Sequence, residues 1–263
     1  MHPVLFRFGP VSVYSYGTMV ALGVLLAVFV STARAKRYNI EADVFFSLAV
    51  YTVLSGIVGA RVLYVILHIR EYLLSPFDAF KVYQGGLVFY GGLFAGLVTA
   101  ALYIRRKKLD TWLIFDVVSP SMALAQVMAR IGCFLNGCCY GRTVCSGSGL
   151  LFPPESSAGA HFPGQALYPV QLYSAAGNLA IFAALFFIEK RKVFVGEVFA
   201  WYLFLYSAKR FFVEFYRANT EVSFFGLSIF QLISIVVAAV SFFFIVRGRL
   251  KSNGENPKQA DET

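Results

Sequence analysis

The sequence predicts an all-α integral membrane protein with seven transmembrane helices, the N-terminus outside and the C-terminus cytoplasmic. Three observations lead there. Hydrophobic residues fill 58% of the 263 positions and charged residues only 14%, an apolar excess foreign to a water-soluble domain of this size. The apolar residues gather into seven runs, each near the roughly 20 residues that cross a bilayer as a helix. The net charge of +9 is dispersed as short Lys/Arg blocks between these runs, a topology signal rather than a nucleic-acid footprint.

The first run, 16–33, is followed by Arg34, Lys36 and Arg37. This basic flank lies after the apolar stretch, the reverse of a secretory signal peptide, so the run is expected to remain as a span. The second, 44–67, has a small-xxx-small pair, Ser55 and Gly59, for close helix packing, and holds Arg61 in "GARVLYV". The third, 87–104, has Tyr90 between Gly85-Gly86 and Gly91-Gly92, a second small pair at Gly92 and Gly96, and exits into "RRKK". The fourth, 112–135, is the most polar, with Asp116, Ser119, Pro120, Ser121 and Gln126 inside it and Arg130 near its end. The fifth, 170–188, exits into "KRK"; the sixth, 197–215, closes on Tyr206, Arg210 and Glu214, with Arg217 just beyond. The seventh, 225–246, is followed by Arg247, Arg249 and Lys251. Basic blocks therefore follow every odd-numbered run, which by the positive-inside rule makes those exits cytoplasmic. One transmembrane domain is expected over 1–250, with an external loop at about 138–168, rich in Gly, Pro and Ser and placed to act as a lid, and a polar cytoplasmic tail at 251–263.

This topology brings Tyr14, Tyr16, Tyr90, Arg130, Asn136, Gln171, Tyr173, Tyr206, Arg210, Glu214 and Arg217 to the outer face. Arginines inside apolar spans face a polar cavity or a partner. Arg61, Arg130 and Arg210 outnumber the acids available to them, Asp116 and Glu214. Guanidinium forks in excess of carboxylates are seats for anions, phosphate above all. A phosphate at the outer leaflet points to a phospholipid headgroup, handled either by an enzyme or by a carrier. A carrier usually carries internal repeats with paired broken helices at the midplane, a pattern this sequence lacks.

The residues also carry a resemblance. "ARIGCFLNGCCYGR", Ala129 to Arg142, resembles the signature of bacterial prolipoprotein diacylglyceryl transferases, an R-[IL]-G-N-F-x-N-G-E-like turn closed by W/Y-G-R. "YSYGTM", "GARVLYV", "QGGLVFYGG", "YPVQLYS" and "RFFVEFYR" follow that family's order, so the resemblance spans about Tyr14 to Arg217. It implies transfer of the diacylglyceryl group of phosphatidylglycerol to the lipobox cysteine thiol of a prolipoprotein, with release of glycerol phosphate, in the bacterial cytoplasmic (inner) membrane and without a cofactor. Arg130 matches the signature arginine, Arg210 the arginine of the R-x-x-x-E-x-x-R run, Tyr206 the tyrosine one turn earlier, Tyr16 that of the first motif, and Gly141 the closing glycine. The resemblance thus implies catalytic roles for Arg130, Arg210, Tyr90 and Tyr16, and phosphatidylglycerol contacts from Arg130, Arg210, Tyr206, Arg61, Asn136, Gly141, Glu214 and Arg217. Glu214, four residues beyond Arg210 on a helix, is placed to orient its guanidinium.

The chain departs from the family pattern in its proton-transfer groups. Tyr90 stands where a histidine is common, and tyrosine, with a reference pKa near 10, is a poor base at neutral pH. Cys133 replaces an asparagine and Cys138 a glutamate, while Tyr168 and Ser174 replace a histidine and a glutamate. A lipid-binding paralogue without transfer activity, or an anion or lipid carrier, is the alternative these departures keep open. Cys133, Cys138, Cys139 and Cys145 all fall at or beyond the outer end of the fourth run, where a disulfide such as Cys138 or Cys139 with Cys145 is open to them. Their spacing is not the paired C-x-x-C of structural zinc sites and no histidine adjoins them, so the expectation is a scaffold, with metal binding and direct catalysis as alternatives. His161 is expected as a solvated loop residue, with substitution for the missing histidine as the alternative.

Overall fold

The computed structural model describes residues 3–8, 11–74, 76–81, 85–144, 149–218, 222–224 and 226–255. Gln84, Cys145 and the tail beyond 255 lie outside the described residues. A short hairpin, β1 (Val4–Phe8) and β2 (Val11–Tyr14), leads into α1 (Ser15–Ala35). There follow α2 (Ala42–Leu67), α3 (Ile69–Leu74), α4 (Phe89–Arg106) and α5 (Thr111–Asn136). Next come β3 (Leu150–Leu151), α6 (Ser157–His161) and β4 (Ala166–Leu167), then α7 (Val170–Lys190) and α8 (Glu197–Glu214). A second hairpin, β5 (Val222–Phe224) and β6 (Leu227–Ser228), opens α9 (Ile229–Glu255).

Each apolar run of the sequence coincides with one long helix, and five of these, α1, α2, α5, α7 and α9, are long and apolar enough to cross a membrane. The other two fall short for a visible reason: α4 closes on Arg105 and Arg106, and α8 carries Glu197, Lys209, Arg210 and Glu214. Large apolar side chains point outward all along these helices; Phe29, Phe94, Phe187 and Phe243 are 64–72% exposed. Water penalises such a surface, whereas hydrocarbon does not.

The chain forms two compact units, Met1–Val30 with Phe115–Thr263, and Ser31–Ile114. In the Ser31–Ile114 unit, α2 and α4 meet backbone to backbone. A Cβ added to Gly91 would stand 2.4 Å from the Gly59 carbonyl oxygen, and one added to Gly92 2.9 Å from that of Gly56. Small residues at a helix crossing gain dispersion contacts and short dipolar contacts that lipid cannot replace. Of the small pairs read from the sequence, Gly59 and Gly92 lie in this seam, while Gly96 packs on Thr52.

In the other unit, α1 packs on α5 through Gly23 and Gly132; a Cβ on Gly132 would come within 2.9 Å of Met19 Cβ. Ala123 of α5, Ile181 and Leu185 of α7, and Val198 and Tyr202 of α8 form the core. The polar groups inside α5 are used locally or across the core. Ser119 and Ser121 hydroxyls donate to the Phe115 and Val118 carbonyls, and Gln126 Nε2 donates to Tyr202 Oη at 2.9 Å. Asp116 accepts from the Gly196 and Phe199 amides at 2.7 and 2.9 Å and pairs with Lys192 at 2.8 Å. A carboxylate of α5 therefore caps α8, whose own N-cap, Gly196 at φ 95°, has no side chain to offer. Glu197 ties the same helix start to Arg249 of α9 at 2.5 Å.

Candidate active site

α5 carries its functional residues at the end opposite Asp116. From Asp116 to Arg130 the helix rises about 21 Å at ~1.5 Å per residue, so the acid cannot serve the arginine. Arg130 is half-buried, and among the described residues no carboxylate or carbonyl engages its guanidinium. The charges of Lys209 and Arg210 and the phenol of Tyr16 are within electrostatic reach of it.

α8 supplies the facing cations. Arg210 Nη1 pairs with Glu214 Oε2 at 2.7 Å, and Arg217 Nε lies 3.7 Å from the same oxygen, so one buried carboxylate serves two arginines. The i,i+4 spacing read from the sequence is thus realised as an ion pair. Arg210 also lies over the Phe230 ring of α9, 5.0 Å from its centroid, which fixes the fork from the apolar side. Lys209 is the member that sequence reasoning missed. Its Nζ donates to Asn178 Oδ1 at 2.8 Å and sits 4.2 Å from the Tyr206 ring centroid. Its signal was available, since a lysine inside an apolar span beside Arg210 has the same desolvation cost as the arginines. Among the described residues Glu214 pairs with Arg210 and lies 3.7 Å from Arg217, while Arg130 and Lys209 are close enough to Arg210 for their charges to act on it or it on them.

The turn after α5 places the rest. Gly137, at φ 68°, breaks the helix, and the Cys138 amide donates back to the Cys133 carbonyl at 3.0 Å. Gln171 Nε2 at the start of α7 donates to the Cys138 carbonyl at 2.8 Å. Gly141 pairs with Arg217 in an isolated bridge, and its amide donates to the Tyr168 carbonyl at 3.0 Å. A Cβ there would stand 2.6 Å from Val170 Cγ2 and 2.7 Å from the Tyr168 carbonyl oxygen. Gly141 is therefore required for close approach of three chain segments, a role in building this turn.

The stretch expected as an irregular loop is folded. Phe152, Ala158 and Leu167 bury themselves against Phe134, Tyr140 and Phe162, and β3 pairs with β4. Enough aromatic surface lies among its Gly, Pro and Ser residues to form a small core. A cavity of about 350 Å³ opens beside it, lined by Cys139, Tyr140, Ser157, His161, Phe162 and Arg217. His161 is a wall residue here; its Nδ1–H donates to the Ser157 carbonyl at 2.7 Å, leaving Nε2 as the acceptor. Cys139 faces the same cavity. Hydrogen bonds from Cys133 and Cys138, ahead of the Arg130 and Arg217 charges, hold its thiol well below the usual range.

Tyr16 is the second residue of α1, packed beside Gly132 and exposed; Asn136, the last residue of α5, contacts Cys138 through its side chain. Two expected site residues belong to the Ser31–Ile114 unit. Tyr90 is the second residue of α4 and 73% exposed. The expectation of an anion-binding Arg61 is corrected by its surroundings. Its guanidinium donates to the carbonyls of Asp78, Ala79, Gly85 and Gly86 at 2.7–3.1 Å and lies between the Tyr64 and Tyr72 rings. Carbonyls of an irregular segment need donors in an apolar setting, and Arg61 supplies them.

The family model described as prolipoprotein diacylglyceryl transferase matches residues 3–247. A phosphatidylglycerol–prolipoprotein diacylglyceryl transferase of Clostridium tetani is 34% identical over 92% of this chain and 96% of its own length. One of Clostridium perfringens, bearing the same name with the numeral 2, is 34% identical over 97% and 98%. One of Staphylococcus aureus is 32% identical over 95% and 90%. With its apolar helices and a match over nearly its whole length, this chain is a multi-pass membrane protein that belongs to the prolipoprotein diacylglyceryl transferase family.

Proposed function

We propose that this chain transfers the diacylglyceryl group of phosphatidylglycerol to the lipobox cysteine of a prolipoprotein. The thiol sulfur forms a bond to the glycerol carbon, the bond from that carbon to the phosphate oxygen breaks, and glycerol phosphate leaves with the electron pair. The observation that carries this reading is Arg130, half-buried, without an acid of its own among the described residues, and within reach of the charges of Lys209 and Arg210. Such a cluster is electrostatically incomplete until an anion enters, and it stabilises the charge that grows on the departing phosphate more than the charge present before reaction. Arg130 is assigned to the phosphate. Arg210, held by Glu214, binds beside it, with Arg217 at the cavity wall. Tyr16, Tyr90, Tyr206 and Asn136 are assigned hydrogen bonds to lipid or acceptor, and Arg61 and Gly141 hold backbone in place.

The same reading has one domain over 1–250 with seven spans, the N-terminus outside, the 251–263 tail cytoplasmic, and 138–168 as the external cover of the site. The enzyme then works in the bacterial inner membrane with its site toward the outer leaflet. The basic blocks at the C-terminal ends of α1, α4, α7 and α9 support that orientation. The test is a proteoliposome assay with labelled phosphatidylglycerol and a lipobox peptide. Label on the peptide cysteine together with free glycerol phosphate is expected. Folded protein that yields neither, while the Clostridium tetani relative works alongside, overturns transfer in favour of a lipid-binding paralogue; movement of labelled headgroup across the bilayer identifies a carrier.

A further inference from the structure

The Sγ atoms of Cys133, Cys138 and Cys139 all lie within 4.8 Å of one another. A metal ion bound by thiolates at about 2.3 Å holds its sulfurs roughly 4 Å apart in tetrahedral or trigonal geometry, so the spacing fits one ion with little movement. The convergence is built by the backbone. The α5 terminus folds Cys138 back over Cys133, and Cys139 takes a left-handed conformation, φ 58°, that turns it onto the other two. That conformation is uncommon for a non-glycine residue. Outer contacts hold the turn as well, from the Asn136 side chain to Cys138 and from Gln171 to the Cys138 carbonyl.

We propose that Cys133, Cys138 and Cys139 form a site for one soft divalent cation, zinc by ligand class, whose fourth position opens on the cavity and takes the acceptor thiol. Cys133 is buried at the back of the cluster and Cys139 is exposed on the cavity, so the open side of the triad faces the space shared with His161 and Arg217. Three thiolates with a divalent ion carry one net negative charge, and Arg130 and Arg217 lie within electrostatic reach of Cys139 to balance it. The assignment of the fourth position rests on the transferase reading, and it supplies what that reading lacks. Tyr90 is a poor base, whereas a metal-bound thiol is deprotonated outright. A bound ion would hold the acceptor sulfur as thiolate, with His161 Nε2 on the same cavity wall to take its proton; the sulfur would then bond to the glycerol carbon as glycerol phosphate leaves with the electron pair.

The first test is metal content of the full-length protein, purified in detergent under reducing conditions and soaked in Zn²⁺ or Co²⁺. About one equivalent per chain is expected, with sulfur-to-cobalt charge-transfer bands and tetrahedral ligand-field bands for Co²⁺. Cys133→Ser and Cys139→Ser should lose the ion. Cys139→His, which keeps a ligand, should retain it, so that loss in the serine variants is not read as misfolding. Folded wild-type protein that stays metal-free, whether its three cysteines titrate as thiols or as a disulfide, overturns the site. A lipobox peptide should shift the cobalt bands and its cysteine-to-serine version should not; bands indifferent to both overturn the fourth-position assignment. Metal content is read without turnover. Zinc bound without transfer therefore sinks the transferase reading alone, and transfer by metal-free protein sinks the metal site alone.

Discussion

Replacing Arg130 with methionine separates function from stability in a way that follows from its surroundings. The substitution keeps a long, flexible side chain on α5 and removes a guanidinium to which no described carboxylate or carbonyl is bound. No ion pair is broken, and repulsion with Lys209 and Arg210 is relieved. Two cations about 8 Å apart at an effective dielectric of about 20 repel by ~2 kcal/mol, less where solvent reaches them. The Tm in detergent should therefore hold or rise. Activity should fall steeply. One or two charge-assisted hydrogen bonds to phosphate, at about 1.5–3 kcal/mol each, amount to roughly 1.5–6 kcal/mol, or about 10- to 10⁴-fold in kcat/KM. The assay is transfer of labelled diacylglyceryl to a lipobox peptide in proteoliposomes, with a melting curve on the same preparation. Transfer within threefold of wild type, or a Tm several degrees lower with activity lost in proportion, refutes the assignment of Arg130 to an incoming anion.

Glu214→Gln is the converse perturbation. It leaves Arg210 and Arg217 without their shared buried carboxylate and should cost about 3 kcal/mol of stability, read as a lower melting temperature. Asp116→Asn removes the pair with Lys192 and weakens the cap on α8, so stability falls by about 1–3 kcal/mol. Because Asp116 lies about 21 Å along α5 from Arg130, transfer per folded molecule should be unchanged, and a specific activity loss would count against a purely structural role. Gly91→Ala drives a Cβ into the Gly59 carbonyl and should destabilise by about 1–3 kcal/mol. Gly17→Ala on α1 meets nothing within 4 Å and should hold or raise the Tm, by up to about 1 kcal/mol of helix propensity; equal effects of the two glycine substitutions would contradict the α2–α4 seam.

Much of the arrangement was legible in the residues. The apolar runs became long helices because backbone in an apolar setting has to bond to itself, and local composition decides that. The Arg210–Glu214 pair was legible for a similar reason, since helix geometry places i and i+4 side by side whatever surrounds them. Arg61 and Arg130 look alike as lone arginines in apolar stretches. One donates to four backbone carbonyls and the other has no such partner among the described residues, and only where the carbonyls of Asp78, Ala79, Gly85 and Gly86 lie distinguishes them.

The sequence by itself therefore determined a helical membrane protein, its long helices and the family whose motifs it carries, because these depend on hydropathy and residue order. Tertiary structure alone decided that Lys209 joins the arginines and that Gly141 is a packing glycine. It also turned the stretch after α5 into a small core beside a cavity that holds His161. Three cysteines without metal-ligand spacing meet there because a left-handed turn folds Cys138 and Cys139 over Cys133. Residue spacing records distance along the chain, whereas convergence is set by where the backbone turns back on itself.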